Sequence, residues 1–105
     1  KLNYPVALIT ADEVAMAGGR AYYNGAYSPN SNYYLYNGKY YWTLSPSFFI
    51  SSSSFASVWL VLPSGSLTPW RYVAYSFGVR PVINLKANTL ITKGDGSSLN
   101  PFVIS

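Results

Sequence analysis

The chain has 105 residues, of which 50% are hydrophobic and only 10% charged, a balance that excludes intrinsic disorder and fits one small folded domain spanning residues 1–105. The net charge of +4 comes from seven scattered cations, none adjacent to another, which argues against a nucleic-acid footprint and leaves weak attraction to anionic surfaces. Cysteine and histidine are both absent, so a disulfide framework, a thiolate nucleophile and the usual general base are excluded together. No apolar run approaches the ~20 residues of a membrane-spanning helix. Low charge with abundant Ser, Asn, Thr and Tyr suits an exported protein. With no starting Met and no visible signal peptide, we expect one domain of a longer or processed protein.

Residues 4–9, Tyr-Pro-Val-Ala-Leu-Ile, read as a first strand or an extended entry segment. Thr10 to Glu13 fits a capping box, in which Thr10 caps a helix and Glu13 reaches back to its amide. The helix is short and ends at Gly18-Gly19. Residues 20–31 carry turn signals at Asn24-Gly25 and Ser28-Pro29-Asn30 and read as a loop. The strongest local signal is Asn37-Gly38, flanked by aromatic runs, which predicts a type I′ hairpin over residues 32–47. That register sets Leu35 opposite Tyr40 and Tyr33 opposite Trp42. It assigns Tyr33, Leu35, Tyr40, Trp42 and Leu44 to the core face, and Tyr34, Tyr36, Lys39, Tyr41 and Thr43 to the other. Pro46 is expected to stop the strand, and residues 51–54, four serines, read as a flexible polar run.

Residues 58–62 predict a strand with Val58, Leu60 and Leu62 on one face and Trp59 and Val61 on the other. A turn at residues 63–66 returns the chain to a strand opened by Leu67. Residues 68–72 read as irregular or as an edge, since Pro69 lacks an amide donor. Pro81 holds Arg80 extended, Val82 and Ile83 form a strand, and residues 90–92 and 102–104 form a closing hairpin around Lys93-Gly94-Asp95-Gly96. The sum is one short helix and six to eight short strands, an α+β domain rich in β structure with mostly antiparallel pairing.

Only three carboxylates are present. Asp12 and Glu13 are neighbours that diverge on a helix, and capping explains them better than catalysis. Asp95 lies in a glycine turn that already accounts for it. With Ser97, Ser98 and Asn100 it offers a poor calcium site, having one carboxylate. Gly94-Asp95-Gly96 lacks the Lys-Ser/Thr pair of a phosphate loop. These absences argue against an enzyme and against any cofactor or metal.

The positive signal is aromatic. Tyr with Ser, Gly and Asn is the composition of binding surfaces, and Tyr34, Tyr36, Tyr41, Trp59, Trp70, Arg71 and Tyr72 are candidates for such a face. The competing reading is that these aromatics fill a small core or join subunits. Arg80, between apolar neighbours, is expected to be structural, paired with a carboxylate or backbone carbonyls or stacked on a Trp.

Three segments carry a resemblance: Leu-Ile-Thr-Ala-Asp-Glu at 8–13, Tyr-Tyr-Trp-Thr-Leu-Ser-Pro at 40–46, and Gly-Val-Arg-Pro-Val-Ile-Asn-Leu at 78–85. Together with the final Gly94 to Ile104 run, they look like uncharacterised surface domains of Firmicutes-type bacteria and their phages, some of which follow a pilin-like helix. More distantly, Trp42 to Pro46 and the Gly-Val-Arg-Pro-Val run resemble the C-type-lectin-like fold of formylglycine-generating enzymes. That fold also carries the variable ligand-binding proteins of diversity-generating retroelements. The enzyme's copper-binding cysteines and the lectins' Glu-Pro-Asn and Trp-Asn-Asp calcium motifs have no counterpart here. The resemblance therefore implies a C-type-lectin-like scaffold with a display role. It is expected to be extracellular and non-catalytic, to bind a protein or glycan at a cell surface, and to bind no nucleic acid and insert in no membrane. In such folds the display surface precedes the Gly-Val-Arg-Pro-Val strand, which places the expected ligand-binding residues at Trp59, Trp70, Arg71, Tyr72 and Tyr75. The alternative is a subunit of an extracellular filament or coat, self-associating through the same aromatics.

Overall fold

The computed structural model describes residues 6–22, 26, 28–97 and 99–105. Tyr4 and Pro5 of the expected first strand, Tyr23, the Asn24-Gly25 turn, Tyr27 and Ser98 lie outside the described residues. The protein is mainly β, with one short helix, antiparallel and mixed sheets, and strands that are mostly short.

Strand β1 (Val6–Leu8) leads into helix α1 (Ala11–Met16). The capping box forms as the sequence predicts. The Thr10 hydroxyl accepts from the Glu13 amide at 3.2 Å, and a Glu13 carboxylate oxygen accepts from the Thr10 amide at 2.8 Å. Those bonds hold the Glu13 carboxyl below its ordinary pKa. At six residues α1 is too short to persist alone. Its hold on the body comes from buried Val14 and from the Ala11 amide, which donates to Ser45 Oγ at 2.9 Å.

The central sheet has the order β2-β5-β4-β3, with β2 (Arg20–Ala21), β3 (Tyr41–Ile50), β4 (Phe55–Val61) and β5 (Ser66–Tyr72). β2 lies within the stretch expected to be loop, and its pairing with β5 is parallel. The turn at residues 63–65 and the return through Leu67 are as expected. The segment from Thr68 to Tyr72 is strand, and β2 reaches only Ser66 and Leu67, so Pro69 and its neighbours form an open edge.

The expected hairpin at Asn37-Gly38 does not form. The Asn-Gly turn is there, with Gly38 at φ 68° and the Lys39 amide donating to Asn37 Oδ1 at 3.0 Å. Residues 33–36 make a turn of their own, with the Tyr36 amide on the Tyr33 carbonyl at 2.9 Å. The physical reason is competition for one strand edge. The Trp42 amide donates to the Gly78 carbonyl at 2.9 Å and the Leu44 amide to the Ile9 carbonyl at 2.8 Å. The edge of β3 that residues 33–36 would occupy is thus already paired. The hairpin that forms joins β3 to β4 through residues 51–54, with Ser54 at φ 56°.

The face assignment changes with it. Tyr33 and Leu35 are buried as expected, but in β3 it is Tyr41 and Thr43 that turn inward, while Leu44 is exposed. Pro46 does not end the strand. It sits in a register shift between Trp42 and Phe48, where the ladder is already interrupted.

The core gathers Ile9, Val14, Tyr33, Leu35, Tyr41, Val61 and Leu67 on one face of the sheet, with Ala11, Ala17, Trp59 and Val82 packed against it. Strand β6 (Pro81–Ile83) pairs antiparallel with β1. Arg80, just before it, is structural: Nη1 donates to the Leu35 carbonyl at 2.7 Å, and the guanidinium lies 5.4 Å from the Tyr41 ring centroid. It stacks on a Tyr, where a Trp was one expected partner. The closing hairpin of β7 (Ile91–Lys93) and β8 (Val103–Ile104) forms as predicted, with every residue of both strands exposed.

Candidate functional site

The central sheet has a second, unusual face. Register partners Tyr41, Val61 and Leu67 point to the core. The next set, Trp42, Leu60 and Thr68, therefore points the opposite way. Leu60 and Thr68 are fully buried there, although Leu60 lies outside the core cluster. Trp42 of this face also joins a layer of aromatic rings drawn from β3, β4, β5 and residues 75–77. Phe55 stacks on Tyr72 with centroids 4.5 Å apart, Tyr72 on Tyr75 at 6.3 Å, and Tyr75 meets Phe77 at 6.2 Å. Phe77 then contacts Tyr40 at 5.0 Å and Trp42 at 5.1 Å. A separate edge-on pair joins Phe48 to Trp70 at 5.1 Å.

Ser57 is buried too, and on β4 alternation sets it on the side of Trp59, away from Leu60. The rings themselves remain partly accessible: Trp70 is 53% and Tyr75 55% exposed. Such half-wet aromatics supply large contact area at little conformational cost. Ser57, set between Phe48 and Tyr72 in the register, is buried with its hydroxyl unpaired among the described residues.

Of the five residues expected to bind ligand, Tyr72 and Tyr75 belong to the run of rings and Trp70 to the separate pair with Phe48. Tyr72 is half-buried between Phe55 and Tyr75. Arg71 is also half-buried, and Nη1 donates to the Trp70 carbonyl at 3.1 Å. With Tyr75 and Phe77, Arg71 lines a cavity of about 210 Å³. Trp59 stands apart. It packs against the main core and lines a different groove, of about 410 Å³, where α1 meets the sheet.

The wider list of candidates also divides. Tyr34 is 80% exposed in the 33–36 turn, whereas Tyr41 belongs to the core. Burial pushes the phenols of Tyr33 and Tyr41 up from their ordinary values. The Tyr33 hydroxyl donates to the Gly65 carbonyl at 2.8 Å and the Tyr41 hydroxyl to the Leu35 carbonyl at 3.2 Å. Phe48, Phe55, Phe77, Tyr40 and Trp42 were not among the expected site residues.

Asp95 sits in the turn before β8. Its Oδ1 accepts from the Ser97 amide at 2.9 Å, which lowers its pKa. Gly94 at φ 91° and Gly96 at φ 84° shape that turn. Among the described residues no three of His, Cys, Asp and Glu gather as metal ligands, and no helix is long and apolar enough to cross a membrane.

Fold and site together define a mainly β domain with a core cluster packed on its central sheet and a half-exposed layer of aromatic rings running from Phe55 to Trp42. The chain belongs to the family described as a domain of unknown function, DUF6273, whose model matches residues 8–87. That span runs from the end of β1 to just beyond β6 and stops before the closing hairpin. No curated protein and no solved structure matches the chain.

Proposed function

We propose that this chain is a non-catalytic ligand-binding or adhesion domain, displayed outside the cell on a cell, pilus or virion surface, and built on a C-type-lectin-like scaffold. The observation that supports it most is the half-exposed layer of aromatic rings along β5 and residues 72–77. Trp70 and Tyr75 are more than half exposed, with Tyr72 and Arg71 between them in sequence. Trp, Tyr and Arg are the residue types that dominate binding energy, and here a rigid sheet presents them. The scarcity of acid–base groups supports a role without catalysis: Glu13 caps α1 and Asp95 closes a turn.

The test replaces Trp70 and Tyr72 together by Ala and measures attachment of the purified domain to cells of its host surface. Folding is expected to survive, as judged by circular dichroism, and attachment to fall at least 10-fold, the loss of two anchors worth ~1 kcal/mol or more each. Unchanged attachment by the folded variant sinks the reading.

A second reading, a subunit of an extracellular filament or coat, is favoured by one separate observation. The β7–β8 hairpin exposes Leu90, Ile91, Phe102, Val103 and Ile104, a short apolar ribbon of the kind that pairs with another chain.

A further inference from the structure

The cavity beside the aromatic layer joins a guanidinium, from Arg71, to two rings, Tyr75 and Phe77. Its volume of about 210 Å³ lies below the ~300–1,000 Å³ of pockets for drug-sized molecules. That is room for one ring-sized group.

Arg71 donates one hydrogen bond, from Nη1 to the Trp70 carbonyl, which leaves most of its donors unused. No carboxylate pairs with it among the described residues. Glu13 is engaged by Thr10, Asp95 by the Ser97 amide, and Asp12 stands on α1. A guanidinium with free donors in fork geometry matches a carboxylate in bidentate fashion. Tyr75 and Phe77, tilted at 43° with centroids 6.2 Å apart, flank that charge with apolar surface, and the Tyr75 hydroxyl adds a donor and an acceptor. The ligand this combination describes has a carboxylate, a compact ring with one apolar C–H face, and hydroxyls at its rim.

We propose that the cavity of Arg71, Tyr75 and Phe77 is a subsite for an acidic sugar. The carboxylate sits on Arg71 and the C–H face of the pyranose lies against the two rings. This rests on the ligand-binding reading above and names the chemistry of its ligand. The net charge of +4 steers such anions toward the molecule.

The experiment titrates the 105-residue chain, followed by NMR, with glucuronic acid, N-acetylneuraminic acid, glucose and a short Asp-rich peptide. At least one acidic sugar is expected to bind 10-fold or more tightly than glucose and the peptide, and to weaken as salt rises. Which of the two sugars binds assigns the source, a uronic-acid polymer or a glycan terminus. Arg71→Gln is expected to weaken binding about 10- to 100-fold, the scale of a hydrogen bond to a charged group, with Arg71→Lys falling between. Equal binding of glucose, preference for the peptide, no sugar binding at all, or an Arg71→Gln variant that binds as well as the parent overturns the subsite. In each of those cases, attachment that still depends on Trp70 and Tyr72 leaves the adhesion reading standing. Acidic-sugar binding with attachment indifferent to those two residues does the reverse.

Discussion

Tyr33 and Tyr41 are large residues in the core whose hydroxyls are satisfied by backbone carbonyls, at Gly65 and Leu35. Burial raises both phenol pKa values in the folded protein. In the unfolded chain each ionises near ~10. Below that pH both states hold the proton and stability is unaffected. Above it the unfolded chain releases protons that the folded one retains, so stability falls as pH rises. We expect the melting temperature to drop steeply above pH ~10, with Tyr33→Phe less steep than the parent even though it is weaker at neutral pH. Parallel slopes for parent and variant would count against burial of the Tyr33 hydroxyl. The same residue scale explains Arg80. Its charge is tolerated beside the core because the Leu35 carbonyl and the Tyr41 ring face replace water.

At the scale of elements, two turn glycines make contrasting demands. Gly38 at φ 68° is confined by its backbone alone, since a Cβ there would meet nothing closer than the Tyr36 hydroxyl at 3.5 Å. Gly65 at φ 81° has the same backbone demand, and its Cβ would also collide with the Asn30 carbonyl. Gly38→Ala is expected to cost about 1 kcal/mol, at the low end of the strain scale. Gly65→Ala is expected to cost clearly more, because backbone must move as well. Equal midpoints in urea unfolding of the two variants would refute that account. The pairing of elements follows a similar logic of competition. β3 accepts β4 along one edge and backbone from Gly78 and Ile9 along the other, so the local Asn-Gly signal cannot recruit residues 33–36 as a strand.

For the whole molecule, a core cluster and a half-exposed aromatic layer share the central sheet, and the closing hairpin adds an exposed apolar ribbon outside the family match. The two readings of function use these parts differently, and light scattering after size exclusion separates them. A monomer is expected if the aromatic layer serves a ligand. Concentration-dependent growth that Ile91→Asp abolishes, leaving the Trp70 and Tyr72 variant still able to grow, would give the case to the filament.

Local signals in the sequence determined the capped helix, the turn at residues 63–65, the strands around Leu60 and Leu67, the closing hairpin and the structural role of Arg80. Each depends on neighbours within a few residues or on a fixed side-chain chemistry, and so can be read from one stretch. The sequence also marked Trp70, Arg71, Tyr72 and Tyr75 by residue type. The tertiary structure alone decided which strand β3 would pair with. It also decided that Tyr41 and Thr43 turn inward where Leu44 turns out, that Pro46 lies within a strand, and that Trp59 packs against the main core. The reason is that a strand's faces are defined only once its partner is chosen. The partner was settled by hydrogen-bonding groups at Ile9 and Gly78, far from residues 41–50 in the chain.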